Sequence, residues 1–140
     1  MSRPVFIALL LVPQGLALLI LAVSALTLKG FKSRHPKIST HAHLDAFKSM
    51  VKLHMYLALA SMPILWAPAL LFGLGVFMDQ LAFLWDIFYV ILPAGVVIGF
   101  AKLLKGLELS VREIPVSDDG LRQERDRVAA VWHGQALPDW

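Results

Sequence analysis

The chain has 140 residues, of which 58% are hydrophobic and only 16% are charged, and its mean hydropathy is +0.69. Soluble domains are about 45–50% apolar and about 25% charged, so this composition is typical of a membrane protein with little room for a separate soluble domain. The absence of cysteine excludes disulfide bonds, thiolate metal sites and thiol catalysis, and the net charge of +3 then indicates membrane topology rather than nucleic-acid binding.

The first apolar run covers residues 5–28 and contains no charged residue. Because about 20 apolar residues suffice to cross the hydrocarbon core as a helix, we expect a first transmembrane span here. Pro13 should bend its middle, since proline lacks the N–H that a helix turn needs. A cleaved signal peptide is the alternative, because Val23, Ser24 and Ala25 resemble a cleavage site. We favour a retained helix, since a signal core has only about 7–15 apolar residues.

The connection to the next run is strongly basic, with six lysines and arginines against one acid between residues 29 and 52. Its second half, 39–52, has apolar residues at helical spacing and predicts a helix that leads into the second span. Ser39 or Thr40 can cap the start of this helix. The helix either lies along the membrane interface or extends the span straight into the cytoplasm.

Two further apolar runs, 53–77 and 81–104, predict the second and third spans. The second contains Pro63 and Pro68 and the third contains Pro93, which membrane helices tolerate where neighbouring groups satisfy the freed carbonyls. Only residues 78–80 clearly separate the two runs, so we expect a tight helical hairpin.

Loop charge predicts the orientation, because basic loops stay in the cytoplasm. The basic connection and the C-terminal tail are therefore expected inside, and the N-terminus and the hairpin tip outside, although Arg3 opposes this weakly. We expect this arrangement in the inner membrane of a bacterium. Asp86 lies a few residues into the third run and is expected among the outer headgroups.

The sequence predicts a three-span membrane domain over 1–106 and a cytoplasmic tail over 107–140. Within the tail, 118–133 predicts an amphipathic helix with a narrow apolar strip. We expect the tail to dock on a partner protein rather than lie on the membrane surface, because a terminal tryptophan is a common interface anchor. The docking residues expected are Leu121, Val128, Trp132 and Trp140.

Histidines are the candidate ligands for haem or metal, and the first and third spans contain none. His43 and His54 fall on nearly one helix face, but they lie about 16 Å apart along the axis, too far to share an ion. We expect no metal site, since zinc usually takes three or four protein ligands. Both histidines are cofactor-binding candidates, for haem b or a quinone, only where a partner subunit completes the site.

Small residues indicate helix packing more clearly than any motif indicates chemistry. Gly95 and Gly99 form a GxxxG pattern in the third span, and Ala69 and Gly73 repeat the spacing in the second. Such residues let helix backbones approach closely. Gln14, uncharged and deep in the first span, is expected to form an interhelical hydrogen bond.

No glycine-rich phosphate loop, zinc-protease motif or nucleophile framed by a base occurs, so we expect no enzyme. We expect an all-α integral membrane protein that serves as a small non-catalytic subunit of a larger membrane complex, such as an energy-converting, electron-transfer one. Its partners are then the bilayer and other membrane subunits. Two alternatives stay open: a redox anchor that uses His54 or His43, and a channel or carrier made of several copies.

Overall fold

The computed structural model describes residues 2–140, and within this range it is all-helical, with 82% helix and no strand. The prediction of an all-α protein is confirmed. The helices in chain order are α1 (Arg3–Arg34), α2 (His41–Phe77), α3 (Phe83–Asp86), α4 (Phe88–Arg112) and α5 (Asp119–Gly134).

Three helical segments are long and apolar enough to cross a membrane, namely Arg3–Arg34, His41–Phe77 and Phe83–Arg112. This is compatible with an integral membrane protein. Each segment continues past its apolar run into polar sequence, and α2 already begins at His41, so the predicted lead-in over 39–52 extends the second span directly. At its start, Thr40 Oγ1 accepts a hydrogen bond from the His43 backbone N–H at 3.2 Å, as a helix cap does.

Four prolines lie in the interior of the long helices, which continue through each of them. In the third apolar run the helix is instead interrupted at Ile87, between α3 and α4. A proline leaves the carbonyl four residues before it without its helical donor. These freed carbonyls therefore need partners from elsewhere, and one such partner belongs to the candidate site below.

A tight cap ends α2 in the predicted hairpin. Gln80 N–H donates to the Gly75 carbonyl at 2.9 Å and Asp79 N–H donates to the Val76 carbonyl at 3.0 Å, which are the two bonds of a Schellman motif. Asp79 takes the left-handed position with φ of 53°, where glycine is usual. Gly75 permits the close return of the chain, since a Cβ there would lie 2.5 Å from Leu81 Cδ1.

The chain forms two compact units, and the long helices contribute residues to both. The first unit contains the residues up to Ala22 together with Ala60–Leu103. In it, side chains of α1 pack against the end of α2 and the hairpin that follows, and this core consists of Phe6, Leu10, Phe72 and Leu81. Much of the remaining apolar surface of the unit is exposed, as lipid contact would require.

The second unit contains Val23–Leu59 and Leu104–Trp140. The connections before α2 and before α5 meet in it, because Ile38 N–H donates to the Pro115 carbonyl at 2.9 Å and Ser117 N–H donates to the Ile38 carbonyl at 3.0 Å. Ile38 is fully buried. The largest other side chains buried in this unit are Leu28, Phe47, Val51, Val111 and Val128.

Candidate functional site

Asp86 is fully buried in the first unit and is paired with Arg3. Arg3 donates through Nη2 to Oδ1 at 2.7 Å and through Nε to Oδ2 at 3.3 Å, while the Ala82 backbone N–H donates to Oδ2 at 2.7 Å. Two parallel bonds of this kind hold a carboxylate strongly. The pair thus joins Asp86, the last residue of α3, to the start of α1, and the expected place of Asp86 among the outer headgroups stays a prediction.

Gln14 forms the interhelical hydrogen bond that its place in the sequence predicted. It is 5% exposed, and its Nε2 donates at 2.9 Å both to the Leu10 carbonyl of α1 and to the Tyr89 carbonyl of α4. The Tyr89 carbonyl lacks its usual helical donor because the residue four positions later is Pro93. Gln14 therefore replaces the missing backbone donor.

A groove of about 470 Å³ opens beside Gln14 in the first unit. Gln14 and Trp66 are the lining residues whose side chains carry a polar atom, and the other lining residues are aliphatic. Gln14 Oε1 is buried and accepts no hydrogen bond. The wall of the groove is therefore almost entirely apolar, and the unpaired Gln14 Oε1 is covered by other atoms. It is lined by Gln14, Ala17, Ile64, Leu65, Trp66, Pro68, Ala69, Val90, Ala94, Val97 and Ile98.

His54, the first cofactor candidate, is buried in the second unit beside an acid. Its Nε2 lies 2.7 Å from Glu108 Oε1, and the two side chains are 6% and 25% exposed. The Trp132 ring meets the imidazole edge-on at 5.5 Å, and the Arg112 guanidinium lies 5.0 Å from the centre of the Trp132 ring. His54 Nδ1 is buried and has no partner. The imidazole thus joins α2 to α4 and α5.

His43, the second candidate, lies in a different part of that unit. Its ring meets His35 edge-on at 4.9 Å, and His35 stacks on Phe31 at 4.8 Å. The structure does not bring the two candidates into contact. Two further ring contacts, Phe31 with Phe47 at 5.9 Å and Phe47 with Trp132 at 6.5 Å, complete an aromatic row between them.

Residues 2–140 contain no group of three histidines or acids placed to hold a metal ion. The aromatic row resembles a packed core, since its members contact one another rather than an open cavity. Of the two candidates, His54 is therefore buried inside the second unit, whereas His43 is partly exposed.

Three of the four residues expected to dock a partner are buried within the chain. Leu121, Val128 and Trp132 are 5%, 1% and 9% exposed, and they turn one face of α5 into the second unit. Trp140 remains partly exposed. Because three members already have neighbours in the chain, their role toward another protein stays a prediction that requires α5 to leave this position.

Polar contacts also attach α5 to α2 and to the end of α4. Glu124 Oε1 lies 2.8 Å from Lys48 Nζ, and Arg125 Nη1 donates to the carbonyls of Arg112 at 2.6 Å and Ile114 at 2.9 Å. The hydrogen bond from Lys48 holds the pKa of the Glu124 carboxyl below its ordinary value, against burial, which raises it. Arg125 thus satisfies one carbonyl at the last residue of α4, where helical donors run out, and one in the connection that follows.

The expected packing residues face outward in the first unit. Gly73, Gly95 and Gly99 are exposed, and a Cβ added at any of them would meet nothing within 4 Å. Ala69 is also exposed and lines the groove. None of these glycines is therefore needed for packing inside this unit, and their faces are open to another helix or to lipid.

Sequence reasoning missed polar pairings such as Arg3 with Asp86, and two of them differ in whether a signal was present. Glu108 lies beyond the apolar run, and no local pattern connects it with His54, 54 positions away. The Tyr89 carbonyl did have a signal, because Pro93 frees it by simple counting. Only the choice of Gln14 as its donor required the tertiary structure.

The chain matches no protein-family model, and neither a curated protein nor a solved structure matches it.

Proposed function

We propose that this protein is a small non-catalytic integral membrane subunit of a larger membrane complex. The observation that carries the proposal is the open face at Gly95 and Gly99 of α4, where a side chain would meet nothing in the chain. Between lipid-embedded helices there is no hydrophobic driving force, so small residues that allow close backbone contact favour association. Exposed Gly73 on α2 offers a second such position.

The buried polar groups support a structural role rather than an ion path. In the described part of the first unit these groups are Gln14 and Asp86, and both are bonded to neighbouring helices. A conducting or proton-relaying protein needs a series of polar groups along its pathway. We therefore favour a membrane subunit over a channel or carrier.

The redox-anchor alternative gains no support from the position of His54. The Nε2 atom, which would be one of its two possible ligand atoms, already lies 2.7 Å from Glu108. Ligation through Nε2 would leave that acid without its partner, and Nδ1 is enclosed by the packed unit. This geometry favours a structural His54.

Charge patterning sets the orientation that we propose. The N-terminus and the hairpin tip lie outside the inner membrane of a bacterium, and the basic connection and α5 lie in the cytoplasm. In this arrangement the exposed Gly95 and Gly99 face is within the bilayer, where a partner subunit would meet it.

The proposal is tested by gentle detergent extraction of the full chain, followed by mass spectrometry of the co-purifying proteins. We expect discrete membrane proteins in fixed ratio to the chain. The double substitution Gly95→Leu and Gly99→Leu should reduce their recovery by about tenfold, the effect of about 1.4 kcal/mol at one interface. Gly15→Leu is the matched control, because Gly15 is an exposed α1 glycine with equally open surroundings.

Two outcomes would overturn the proposal. Recovery of the native chain alone, as a monomer or as a homo-oligomer, would remove the partner. Equal recovery of companions with the glycine double variant and with the Gly15 control would show that this face is in contact with lipid.

A further inference from the structure

The acids of the second unit are mostly occupied by partners other than its lysines. They pair with arginines, with one lysine or with a histidine, or they cap a helix, namely Glu108, Asp118, Asp119, Glu124, Asp126 and Asp139. Of the six lysines in this unit, all of whose residues the structure describes, Lys48 alone takes part in an ion pair. The two acids without an ion pair, Asp45 and Glu113, lie eight or more residues from the apolar runs.

Three of the unpaired lysines lie directly at the ends of the apolar runs. Lys29 follows the first run, Lys52 precedes the second and Lys105 follows the third. All three are exposed, and we call them the lysine band. A lysine at the end of a span lays its alkyl stem along apolar surface and holds its ammonium group in the headgroup layer. The lysine band thus brings a positive charge to this boundary on each of α1, α2 and α4.

Contacts inside the second unit place two members of the lysine band at similar depth. His54 of α2 meets Glu108 of α4 at 2.7 Å. Lys52 lies two residues before His54, and Lys105 lies three residues before Glu108. Because α2 and α4 are joined by a tight hairpin and run in opposite directions, these lysines are about 8 Å apart along the helix axes.

The third member is brought close to them by aromatic packing. The rings of Phe31 on α1 and Phe47 on α2 are 5.9 Å apart. Counted from this contact, Lys29 lies within about 5 Å of the depth of Lys52. The polar layer on each side of the hydrocarbon core is about 5–8 Å thick, so flexible lysine side chains from these depths reach one layer.

A tyrosine accompanies the lysine band on α2. Tyr56 is 46% exposed and lies one helical turn beyond Lys52, on the same face of the helix. Its hydroxyl can donate a hydrogen bond, and tyrosine is enriched where a span meets the headgroups. Lys52 and Tyr56 together offer a charge and a directed donor, both of which suit a phosphate oxygen.

We propose that the lysine band binds the phosphate groups of anionic phospholipids. The occupant follows from charge complementarity, because acids of the second unit do not neutralise these lysines and an anionic headgroup does. A zwitterionic lipid suits them less well, since its ammonium group is repelled by lysine. This inference needs a membrane-embedded chain, but it does not depend on a partner subunit.

The test is electron paramagnetic resonance of the purified full chain in phosphatidylcholine vesicles with traces of spin-labelled lipid. The motionally restricted fraction measures how strongly the labelled lipid associates with the chain. We expect phosphatidylglycerol to associate about fivefold more strongly than phosphatidylcholine, which corresponds to about 1 kcal/mol, the attraction of one lysine near an anionic surface. In about 1 M salt, where the Debye length falls to about 3 Å, this preference should disappear.

Three variants of the full chain locate the preference. The uncharged variant combines Lys29→Gln, Lys52→Gln and Lys105→Gln, and in it both lipids should associate equally. The arginine variant combines Lys29→Arg, Lys52→Arg and Lys105→Arg, and it should keep the preference because the charge stays. The matched control combines Lys37→Gln, Arg122→Gln and Arg127→Gln. It removes the same charge from exposed positions of this unit away from the apolar runs, so it should also keep the preference.

The proposal is overturned if the two lipids associate equally with the native chain, or if the preference survives in the uncharged variant. It also fails if the arginine variant or the matched control loses the preference. Abolition of the preference by millimolar glycerol 3-phosphate would show a site for soluble phosphate instead of lipid. None of these results bears on co-purification of other subunits, so the two proposals can fail separately.

Discussion

At the scale of single residues, one amide compensates for one proline. Pro93 deprives the Tyr89 carbonyl of a helical donor, and Gln14 Nε2 supplies the bond from another helix. Within a bilayer no water would be present to take this place, so the carbonyl would depend on a protein donor. The polar residue in the middle of α1 thus has a structural reason that is independent of any ligand.

This compensation predicts that Gln14 and Pro93 are energetically coupled. Gln14→Leu should lower the free energy of unfolding by about 1 kcal/mol, because it leaves the Tyr89 carbonyl unpaired. In a chain that carries Pro93→Ala, the same change should cost little, since the alanine would restore the helical N–H. A double-mutant cycle of thermal unfolding in detergent measures the coupling, and additive effects would refute it.

At the scale of elements, α5 is held by contacts of different kinds. Leu121 and Val128 bury apolar surface, Arg125 donates to the carbonyls at the end of α4, and Glu124 pairs with Lys48 of α2. The ion pair is partly exposed and contributes at most about 1 kcal/mol. Apolar burial therefore dominates the docking, and the polar contacts determine its register.

The lowered pKa of Glu124 predicts how this docking depends on pH. A carboxyl whose pKa is lower in the folded state stabilises the fold above its ordinary pKa, and this contribution is lost as pH falls through the folded value. The native chain should therefore lose more thermal stability than Glu124→Gln on acidification from pH 6 to below about 4, an interval that brackets the ordinary value.

Tryptophan fluorescence measures this difference during thermal unfolding in detergent. Asp119→Asn is the control, because the Asp119 side chain is 95% exposed. Equal acid sensitivity of the native chain and the Glu124 variant would show that Lys48 and Glu124 do not interact in solution.

At the scale of the whole molecule, charge distribution and apolar length act together. Three segments are long and apolar enough to cross a membrane, and the basic residues are concentrated between residues 29 and 52 and from residue 102 onward. The positive-inside rule converts this asymmetry into an orientation. In the orientation that we propose, Arg3 is the one basic residue on the outer side, and its pairing with Asp86 compensates its charge.

The proposed orientation can be measured directly, because the native chain has no cysteine. Met78→Cys, Ser33→Cys and Gln135→Cys place single thiols in the hairpin, near the end of α1 and just after α5. A membrane-impermeant maleimide added to intact spheroplasts should label only the first, and the other two should react after lysis. If the maleimide instead labels the Ser33→Cys and Gln135→Cys variants in intact spheroplasts, the proposed orientation is wrong.

Local composition was sufficient to predict three helices that could cross a membrane. Long apolar runs and the rarity of charge within them predict helices that cross lipid, since each span must satisfy its own backbone in that solvent. This holds whatever neighbours the helices have, and for that reason the all-α fold and the three apolar helices followed from the sequence alone. The interhelical role of Gln14 could also be predicted, because a deep polar group in lipid needs a partner.

Tertiary structure alone decided which partner each polar group takes. Arg3 with Asp86 and His54 with Glu108 join residues 83 and 54 positions apart, distances over which no periodic pattern carries information. The same reason explains why the groove was not foreseen: its lining comes from α1, α2 and α4, and only their packing leaves this space open. Composition determines whether a helix is suited to lipid or to water. The fit of side chains in three dimensions determines which helices it packs against.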